Sequence, residues 1–377
     1  MFPMNRIAPG IPGALFIALM QILPAGNPAA QPVRARRPGG FTIDDSSVTF
    51  VYRGSARHVY VAGDPNGWDP SGDEMKRETG TDIFVRRWKA DPAARFEYKL
   101  VVDSSWILDP LNPRTAEGGF GENSEVRMPM YRFPAETLPR AGIAHGTIDT
   151  TMFPSTLLGR RLPLYVYLPA GYRESAGRYP VMYVTDGGEY LSRAGMNNAI
   201  DNLIAAGEIL PLIAVFIDPR TDPADPRTST RMTDYALSDT FVRALCEELL
   251  PFVNRRYRGA DGPAHTAIMG ASMGGLIATY AAFTHPGVFG FCAAQSPSYQ
   301  WQNDTIITMI RREDRRDFRM FLCTGTIRDA ETRSRILHDV MTAKGYRVTY
   351  RESPESHNWL NWRGRLADIL RTFRGTR

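Results

Sequence analysis

The sequence predicts a small all-β sandwich followed by a larger α/β domain with a mostly parallel sheet. From Ser46 to Pro129, short alternating segments are separated by turn signals such as Asp64-Pro65-Asn66-Gly67, a pattern typical of antiparallel sandwiches. From Gly142 onward, apolar runs alternate with helical segments, which indicates strands buried between two helical layers. A third observation is an apolar run that enters a glycine-flanked serine and then a helix, and it indicates chemistry in the second domain.

Composition fits a globular protein with more than one domain. The chain has 377 residues, of which 43% are hydrophobic and 23% charged, and this argues against disorder. The net charge is +5, but the basic residues are scattered among acidic ones, so we expect no nucleic-acid partner. Three cysteines, Cys246, Cys292 and Cys323, lie in apolar contexts, and we expect buried free thiols instead of disulfides or a zinc site.

The N-terminus predicts an export signal. Arg6 precedes an apolar stretch, Ile11 to Leu23, which is followed by small residues, the layout of a secretory signal. The stretch is too short to span a membrane. We therefore expect a signal peptide over residues 1–30, cleaved after Ala25 or Ala30, and a flexible arm over 31–45. The mature protein should be periplasmic or secreted, without a membrane partner.

Two stretches of the first domain carry a more specific signal: Val61 to Pro70 (VAGDPNGWDP) and Phe96 to Pro113 (FEYKLVVDSSWILDPLNP). Together they resemble the early-set glycan-binding modules of isoamylases and AMP-activated kinase, known as carbohydrate-binding-module family 48. The resemblance implies an immunoglobulin-like sandwich, which we place at residues 46–130. We predict its strands at Val48–Tyr52, His58–Ala62, Ile83–Trp88, Phe96–Val102 and Ser124–Met128.

The same resemblance implies a sugar platform made by Trp68, Trp106 and Lys99. Flat indole faces stack on sugar rings while a cation holds hydroxyl groups. In other modules of this class the tryptophans only pack the sandwich edge, and the module covers the active site of an attached esterase. A glycan partner and a role in shaping the active-site entrance therefore both stay open.

The α/β domain is predicted over residues 142–377, after a linker over 131–141. The pattern predicts helices at Asn197–Gly207, Thr240–Asn254, Ala330–Lys344 and Gly364–Phe373. It predicts strands at Arg161–Leu168, Tyr179–Val184, Ile209–Ile217, Thr266–Met269, Phe289–Ala294, Arg319–Thr324 and Arg347–Glu352.

The stretch around Ser272 predicts a nucleophile elbow. The strand at Thr266–Met269 enters Gly270-Ala-Ser-Met-Gly274, and a helix of small residues follows. This is the G-x-S-x-G arrangement of the α/β-hydrolase fold. The turn is tight, so the positions on either side of Ser272 must be nearly free of side chain. The helix N-terminus and the Met273 amide would then point at a developing oxyanion.

A serine nucleophile needs a base and an orienting acid, and these follow the serine in the order acid, then histidine. Of six histidines, only His357 lies in a loop after the predicted last strand. Asp329, in the loop after strand Arg319–Thr324, is the first choice of acid; Glu331 is second and Glu355 third. For the second oxyanion donor we choose Gly188, with Gly187 as the alternative.

Several motifs together resemble the putative-esterase family, which includes enterochelin, feruloyl and acetyl-xylan esterases and mycolyltransferases. The resemblance covers residues 142 to 373 and implies Ser272, His357 and Asp329 as a triad with Met273 and Gly188 as oxyanion donors. Two features depart from the family: Ser356 precedes the histidine where glycine is usual, and Ile327 and Arg328 occupy the acid loop where a second acid is usual. The motifs are Tyr179 to Gly188 (YPVMYVTDGG), Asp201 to Gly207, Glu248 to Phe252, the elbow, Gln295 to Ser298, and Ser356 to Trp359.

We therefore expect a carboxylic-ester hydrolase without metal or cofactor, acting on feruloyl or acetyl polysaccharide esters or on siderophore lactones. Trp301 and Trp359 should wall the pocket, and Glu189 and Tyr190 should face the substrate. An acyltransferase shares the acyl-enzyme and stays open as an alternative. An inactive glycan-binding protein is the alternative of another class, and the intact serine, histidine and glycines argue against it. The sequence leaves the oligomeric state open.

Overall fold

The computed structural model describes residues 41–118 and 121–376, which fall within one compact unit. The predicted signal peptide and residues 31–40 of the predicted arm lie outside the described residues. Within the described part of the chain, no helix combines the length and apolarity needed to cross a bilayer.

The N-terminal region is all-β, as predicted. One antiparallel sheet has the strand order β1-β2-β5-β4, and a second has the order β3-β6-β9-β8, with β7 added to β6. The strands are β1 (Thr42–Ile43), β2 (Ser47–Arg53), β3 (Val59–Gly63), β4 (Lys76–Arg77), β5 (Ile83–Lys89), β6 (Arg95–Val102), β7 (Ser105–Ile107), β8 (Thr115–Gly118) and β9 (Gly121–Arg127).

The two sheets share one hydrophobic core. Alternate residues of each strand point into it, for example Val48 and Phe50 from β2 and Tyr98 and Leu100 from β6, all fully buried. Aromatic rings dominate this core, and Phe50 packs edge-on against Tyr98 with 4.6 Å between ring centroids. Because successive side chains of a strand point to opposite faces, the remaining positions, including Lys99, lie on the outer face.

The second region is built on an eight-stranded mixed sheet, with the order β10-β11-β13-β12-β14-β15-β16-β17. The pairings of β10 with β11 and of β11 with β13 are antiparallel, and the other pairings are parallel. The strands are β10 (Thr147–Ser155), β11 (Arg160–Leu168), β12 (Val181–Val184), β13 (Ile213–Ile217), β14 (Thr266–Ala271), β15 (Phe291–Gln295), β16 (Arg319–Gly325) and β17 (Arg347–Ser353).

Helices cover both faces of this sheet, and each face has its own buried core. The central helix α6 is buried from Met273 to Phe283, which explains its small residues. The helices are α1 (Gly187–Ser192), α2 (Met196–Ala205), α3 (Arg231–Asp234), α4 (Asp239–Arg243), α5 (Leu250–Arg256), α6 (Met273–Thr284), α7 (Thr305–Arg312), α8 (Glu331–Ala343), α9 (Trp359–Arg363) and α10 (Leu366–Arg374).

The helix predicted at Thr240–Asn254 is interrupted. A π-helical turn, Ala244–Leu249, joins α4 to α5, and Pro251 lies in the first turn of α5. Proline has no N–H and its ring clashes with the preceding turn, so a local widening of the helix is the expected accommodation.

Strand β10 adds to the prediction, and the predicted linker makes contacts with the α/β region. Strand β10 was not predicted because its sequence, TIDTTMFPS, is largely polar and half-exposed. The predicted linker is attached to the α/β region, since Asn202 of α2 donates to the carbonyl oxygens of Glu136 (2.7 Å) and Leu138 (2.9 Å).

Candidate active site

The candidate residues come together at the carboxyl edge of the sheet. Ser272 follows β14, Asp329 follows β16, and His357 follows β17. Gly188 follows β12, which pairs with β14 on the other side. Loops after neighbouring parallel strands meet at one edge, so the strand order explains why residues distant in sequence converge here.

Ser272 lies in a strained turn between β14 and α6. Its backbone angles are φ 57° and ψ −122°, a region that residues with a side chain rarely occupy. Such a conformation costs about 1–3 kcal/mol and persists only where the surroundings enforce it. Here the Ser272 N–H donates to the Gln295 carbonyl oxygen at 2.9 Å, and the Ser298 N–H donates to the Ser272 carbonyl oxygen at 3.0 Å.

The two elbow glycines are required by close packing. A Cβ on Gly270 would collide with the Thr185 hydroxyl and with the backbone of Gly274. A Cβ on Gly274 would collide with the same hydroxyl and lie 3.0 Å from Asp186 Oδ2. The first turn of α6 is thereby brought directly against the loop that carries Gly188.

His357 and Asp329 form a hydrogen-bonded pair, with 2.7 Å between Nδ1 and Oδ1. The carboxyl side chain of Asp329 is fully buried, while 41% of the His357 side chain is exposed. The second oxygen, Oδ2, accepts from the Ser296 hydroxyl and from the Gly325 N–H, both at 2.6 Å, and from Asn361 Nδ2 at 3.3 Å.

These contacts keep Asp329 ionised. Burial acts to raise the pKa of its carboxyl, but the hydrogen bond and charge of His357, followed by the Ser296 and Gly325 bonds, outweigh burial and leave the pKa below its ordinary value. A buried carboxylate of this kind fixes the imidazole orientation and stabilises the imidazolium form.

The hydroxyl of Ser272 lies 3.2 Å from Ser298 Oγ. Among the described residues no hydrogen bond joins Ser272 to His357, although the two follow strands of the same sheet edge. In enzymes without substrate this bond is often long and tightens when substrate binds. Ser298 was named in the sequence only as part of a motif, and the structure gives it a direct partner.

The loop before α1 is held by Arg231, which the sequence did not single out. Its Nε donates to Asp186 Oδ1 at 2.8 Å, and its Nη2 donates to Asp186 Oδ2 at 3.0 Å and to the Ala271 carbonyl oxygen at 3.2 Å. Asp186 has φ 54°, and its N–H donates to the Tyr235 hydroxyl at 3.1 Å. Arg231 therefore links the Gly188 loop to the residue before Ser272.

The predicted oxyanion donors are the first amides of two helices. Met273 begins α6, and Gly187 and Gly188 begin α1. The first amides of a helix have no carbonyl partner within it. Gly187 is buried against the backbone of Phe216, whereas Gly188 is half-buried, which favours Gly188 over its alternative.

The other predicted pocket residues have different environments. Tyr190 is fully buried, and its hydroxyl donates to Gln295 Oε1 at 2.7 Å, so its surface and its hydroxyl are taken up within the protein. Glu189 is half-buried beside Arg220, with 3.5 Å between Oε1 and Nη1; burial and then Asp186 raise the pKa of Glu189. Trp301 is half-buried, and its indole nitrogen has no hydrogen-bond partner among the described residues.

Trp359 packs edge-on against Tyr190, with 5.1 Å between ring centroids, and against Trp362, with 4.8 Å. It also lines a cavity of about 330 Å³ between the N-terminal region and the α/β region. Residues from both regions line this cavity, among them Glu125, Arg127, Phe133, Arg193, Trp359 and Arg363.

The alternative acids do not reach His357. Glu331 is the first residue of α8, and neither it nor Glu355 shares a hydrogen bond with the imidazole in the described part of the chain. Glu355 is 2% exposed. Burial raises the pKa of its carboxyl to about 7, against the opposing charges of Arg95 and Arg365.

On the sandwich, the structure brings the predicted platform residues onto one outer face. The rings of Trp68 and Trp106 stack with 6.4 Å between centroids and 29° between planes. Lys99 and Val101 lie on the same face of β6, and Trp106 pairs with Val101. The Trp68 indole also donates to Asp64 Oδ1 at 3.0 Å.

Comparison with known proteins gives relatives of two kinds. The iron(III) enterobactin esterase of Dickeya dadantii is 28% identical over 292 residues, which are 70% of this chain and 64% of that protein. The endo-1,4-beta-xylanase/feruloyl esterase of Xylanibacter ruminicola is 31% identical over 217 residues, 53% of this chain and 28% of that protein. This chain thus spans less than two thirds of either curated relative.

Solved structures share the fold. The enterobactin esterase of Shigella flexneri, crystallised in the presence of enterobactin, superposes with a TM-score of 0.72 at 22% identity over 88% of this chain and 94% of that chain. A ferulic acid esterase from Anaeromyces mucronatus superposes with a TM-score of 0.52 at 19% identity over 63% of this chain and 94% of that one. The fold is therefore α/β-hydrolase-like with a mixed sheet. Residues 155–373, more than half of the chain, match the family described as Putative esterase, and the protein belongs to that family.

Proposed function

We propose that the protein is a carboxylic-ester hydrolase that works through an acyl-enzyme on Ser272, with His357 as base and Asp329 as orienting acid. The observation that carries the proposal is the 2.7 Å contact between His357 Nδ1 and Asp329 Oδ1, at the sheet edge where Ser272 occupies a strained turn. Family membership and relatives named as enterobactin and feruloyl esterases support the same reaction class.

The first half of the reaction forms the acyl-enzyme. Ser272 Oγ attacks the ester carbonyl carbon while its proton passes to His357 Nε2. The carbonyl π electrons move onto oxygen, where the Met273 and Gly188 amides stabilise the negative charge. When the carbonyl re-forms, the bond to the alcohol oxygen breaks, and the alcohol leaves with the proton from His357.

The second half releases the acid. Water attacks the acyl carbonyl carbon, gives its proton to His357 Nε2, and produces the same kind of oxyanion. Collapse breaks the bond to Ser272 Oγ, which recovers the proton. Asp329 stays ionised throughout, because its role is to hold the imidazole and not to take a proton.

We propose feruloyl or acetyl polysaccharide esters or siderophore lactones as substrates. Trp301, Trp359 and Glu189 remain the candidate substrate contacts. The proposal is supported by relatives that are named as an iron(III) enterobactin esterase and as an endo-1,4-beta-xylanase/feruloyl esterase.

The test is hydrolysis of p-nitrophenyl acetate, methyl ferulate and a catecholate trilactone by the wild type, Ser272→Ala and His357→Ala. Each variant should lose several orders of magnitude in kcat, since nucleophile and base act as a unit. Ser175→Ala, in a surface loop, is the matched control. Full activity in Ser272→Ala would refute the proposal, and transfer of the acyl group to an added alcohol instead of water would identify an acyltransferase.

We also propose that residues 1–30 direct export to the periplasm or beyond. The support is the sequence of an arginine, an apolar stretch and small residues. Expression of the full chain with a tag at its C-terminus, followed by cell fractionation and N-terminal sequencing, tests the proposal. An uncleaved chain found only in the cytoplasmic fraction would contradict it.

A further inference from the structure

The loop that carries His357 is held from its far side by the N-terminal sandwich. The N–H of Arg95, on β6, donates to the Pro354 carbonyl oxygen at 3.1 Å. Arg95 Nη1 donates to Asn358 Oδ1 at 3.4 Å, and Asn358 Nδ2 donates to Asp64 Oδ2 at 3.4 Å. The sandwich therefore contacts the residues on both sides of His357.

Arg95 and Asp64 are themselves fixed. Arg95 is fully buried, with Nε 2.8 Å from Glu125 Oε1 and Nη1 2.9 Å from Glu97 Oε1. Asp64 accepts from the Glu97 N–H at 2.8 Å and from the Trp68 indole at 3.0 Å. Side chains tied at several points have little freedom left, so they provide rigid supports instead of adaptable surface contacts.

The acid loop rests on the same domain. Ile327 packs against the hydrophobic core of the sandwich. The guanidinium of Arg328 lies over Gly67, where an added Cβ would be 2.9 Å from Nε. Ile327 and Arg328 are the two positions at which this chain departs from the usual acid loop of its family, and both face the sandwich.

We infer that Arg95 and Asp64 are positioning residues for His357, acting through Asn358 and the Pro354 carbonyl. The inference rests on the proposed ester hydrolase activity. A charged group buried at a domain contact contributes little net stability compared with an apolar one, so the arrangement is better explained by orientation of the loop. A misplacement of about 1 Å in a catalytic group can cost about a hundredfold in rate.

The decisive variant is Asn358→Asp. Asn358 caps α9 by accepting from the Asn361 N–H at 3.1 Å, and aspartate caps helices equally well. The acceptor for Arg95 is also kept. The amide donor to Asp64 is lost, and two carboxylates then face each other.

We expect kcat on p-nitrophenyl acetate to fall about 10- to 100-fold with KM nearly unchanged. In the double variant Asp64→Asn/Asn358→Asp the amide of residue 64 can donate to the carboxylate of residue 358, but the Glu97 N–H then loses its acceptor, so part of the lost kcat should return. A contact that only stabilised the fold would not lower kcat while leaving KM unchanged, and the double variant would not restore kcat.

Asn123→Asp is the matched control. Asn123 Nδ2 donates to Glu97 Oε2 at 2.6 Å, so the same substitution disturbs the sandwich network at Glu97, which holds Arg95, without removing a contact of the His357 loop itself. It should lower the melting temperature and lower kcat far less than Asn358→Asp does. Equal losses of kcat in Asn123→Asp and Asn358→Asp would overturn the inference, because general damage to the sandwich would then suffice.

If the wild type is active and Asn358→Asp has an unchanged kcat, this inference is overturned while the proposed function stands. A wild type inert on every ester would overturn the proposed function and this inference with it. If Asn358→Asp does not fold, Asn358→Ser keeps a helix-capping hydroxyl and removes the amide donor to Asp64, and an unchanged kcat in that variant refutes the inference equally.

Discussion

Ser296 Oγ donates to Asp329 Oδ2 at 2.6 Å, and it accepts from the Trp362 indole at 3.0 Å. The ring of Trp362 in turn meets that of His357 edge-on, with 5.1 Å between centroids. Asp329 and His357 are therefore joined twice, directly and through Ser296 and Trp362. This closed arrangement explains how a half-exposed imidazole keeps one orientation.

Asp329→Asn should lower kcat on a small ester by about 10⁴-fold while the protein stays folded, because the amide would favour the wrong imidazole tautomer. Steady-state kinetics and circular dichroism check both parts. Glu331→Gln is the control, and kcat should be nearly unchanged there. A loss in Glu331→Gln equal to that expected for Asp329→Asn would show that the acid has been placed wrongly.

Arg231→Gln should lower kcat about 10- to 100-fold, with a smaller effect on KM. Removal of the guanidinium frees Asp186 and the Gly188 loop, so a donor to the oxyanion moves out of place. Arg231→Lys keeps the charge but loses the bidentate contact with Asp186, and its kcat should lie between those of the wild type and Arg231→Gln. Equal kcat values in all three proteins would exclude a role for Arg231 in shaping the oxyanion site.

Glu355 should make the protein less stable as the pH rises from about 4.5 to about 7. Its pKa is raised by burial from 4.5 to about 7 in the folded protein. Below pH 4.5 the carboxyl is protonated in both states. Between pH 4.5 and 7 only the folded protein keeps the proton, so the stability present at low pH is progressively lost.

Urea unfolding of the wild type and Glu355→Gln at pH 5 and pH 8 measures this effect. The wild type should lose on the order of 2 kcal/mol more than the variant between these two pH values. Asp64, whose pKa is raised to about 6 by burial and by Glu97, acts in the same direction but is present in both proteins. A parallel pH dependence in wild type and variant would contradict the prediction.

Substitutions of Trp68 and of Trp106 should differ in their effect on the hydrolysis of a small soluble ester. Trp68 donates to Asp64, which supports the His357 loop, so Trp68→Phe, which removes the indole N–H together with part of the ring, should lower kcat several-fold. Trp106 stacks on Trp68 without that bond, and Trp106→Phe should leave kcat unchanged. Affinity electrophoresis on xylan, starch and glycogen provides the second readout: retardation that is lost in both variants would favour a glycan platform instead.

The sequence alone predicted the parts of the site that follow strands. The proposed nucleophile Ser272 and the proposed acid Asp329 follow buried apolar strands, whereas the proposed base His357 follows a mostly polar strand and was chosen by its place in the order of the chain. The elbow glycines have a steric requirement that the sequence displays. The fold was predictable for the same reason, since buried strands and helices have strong periodic patterns. Strand β10 was not predicted, because its mostly polar residues lack such a pattern.

The supports of the site could not be predicted in this way. Arg231 lies 41 positions before Ser272, and its role depends on a loop that brings it to Asp186. Arg95 and Asp64 look in the sequence like ordinary charged residues beside strands. Only the packing of the sandwich against the His357 loop gives them partners, and no local pattern encodes that contact.

The contact between Arg95 and Asn358 joins residues 263 positions apart. A ribosome completes the sandwich long before it makes the last strand and the loop after it, and domains generally fold in that order. The loop around His357 can therefore meet Arg95 only after these 263 further residues have been synthesised. A nascent chain that ends before residue 357 carries the Ser272 elbow without the proposed base, and we expect it to be inert toward esters.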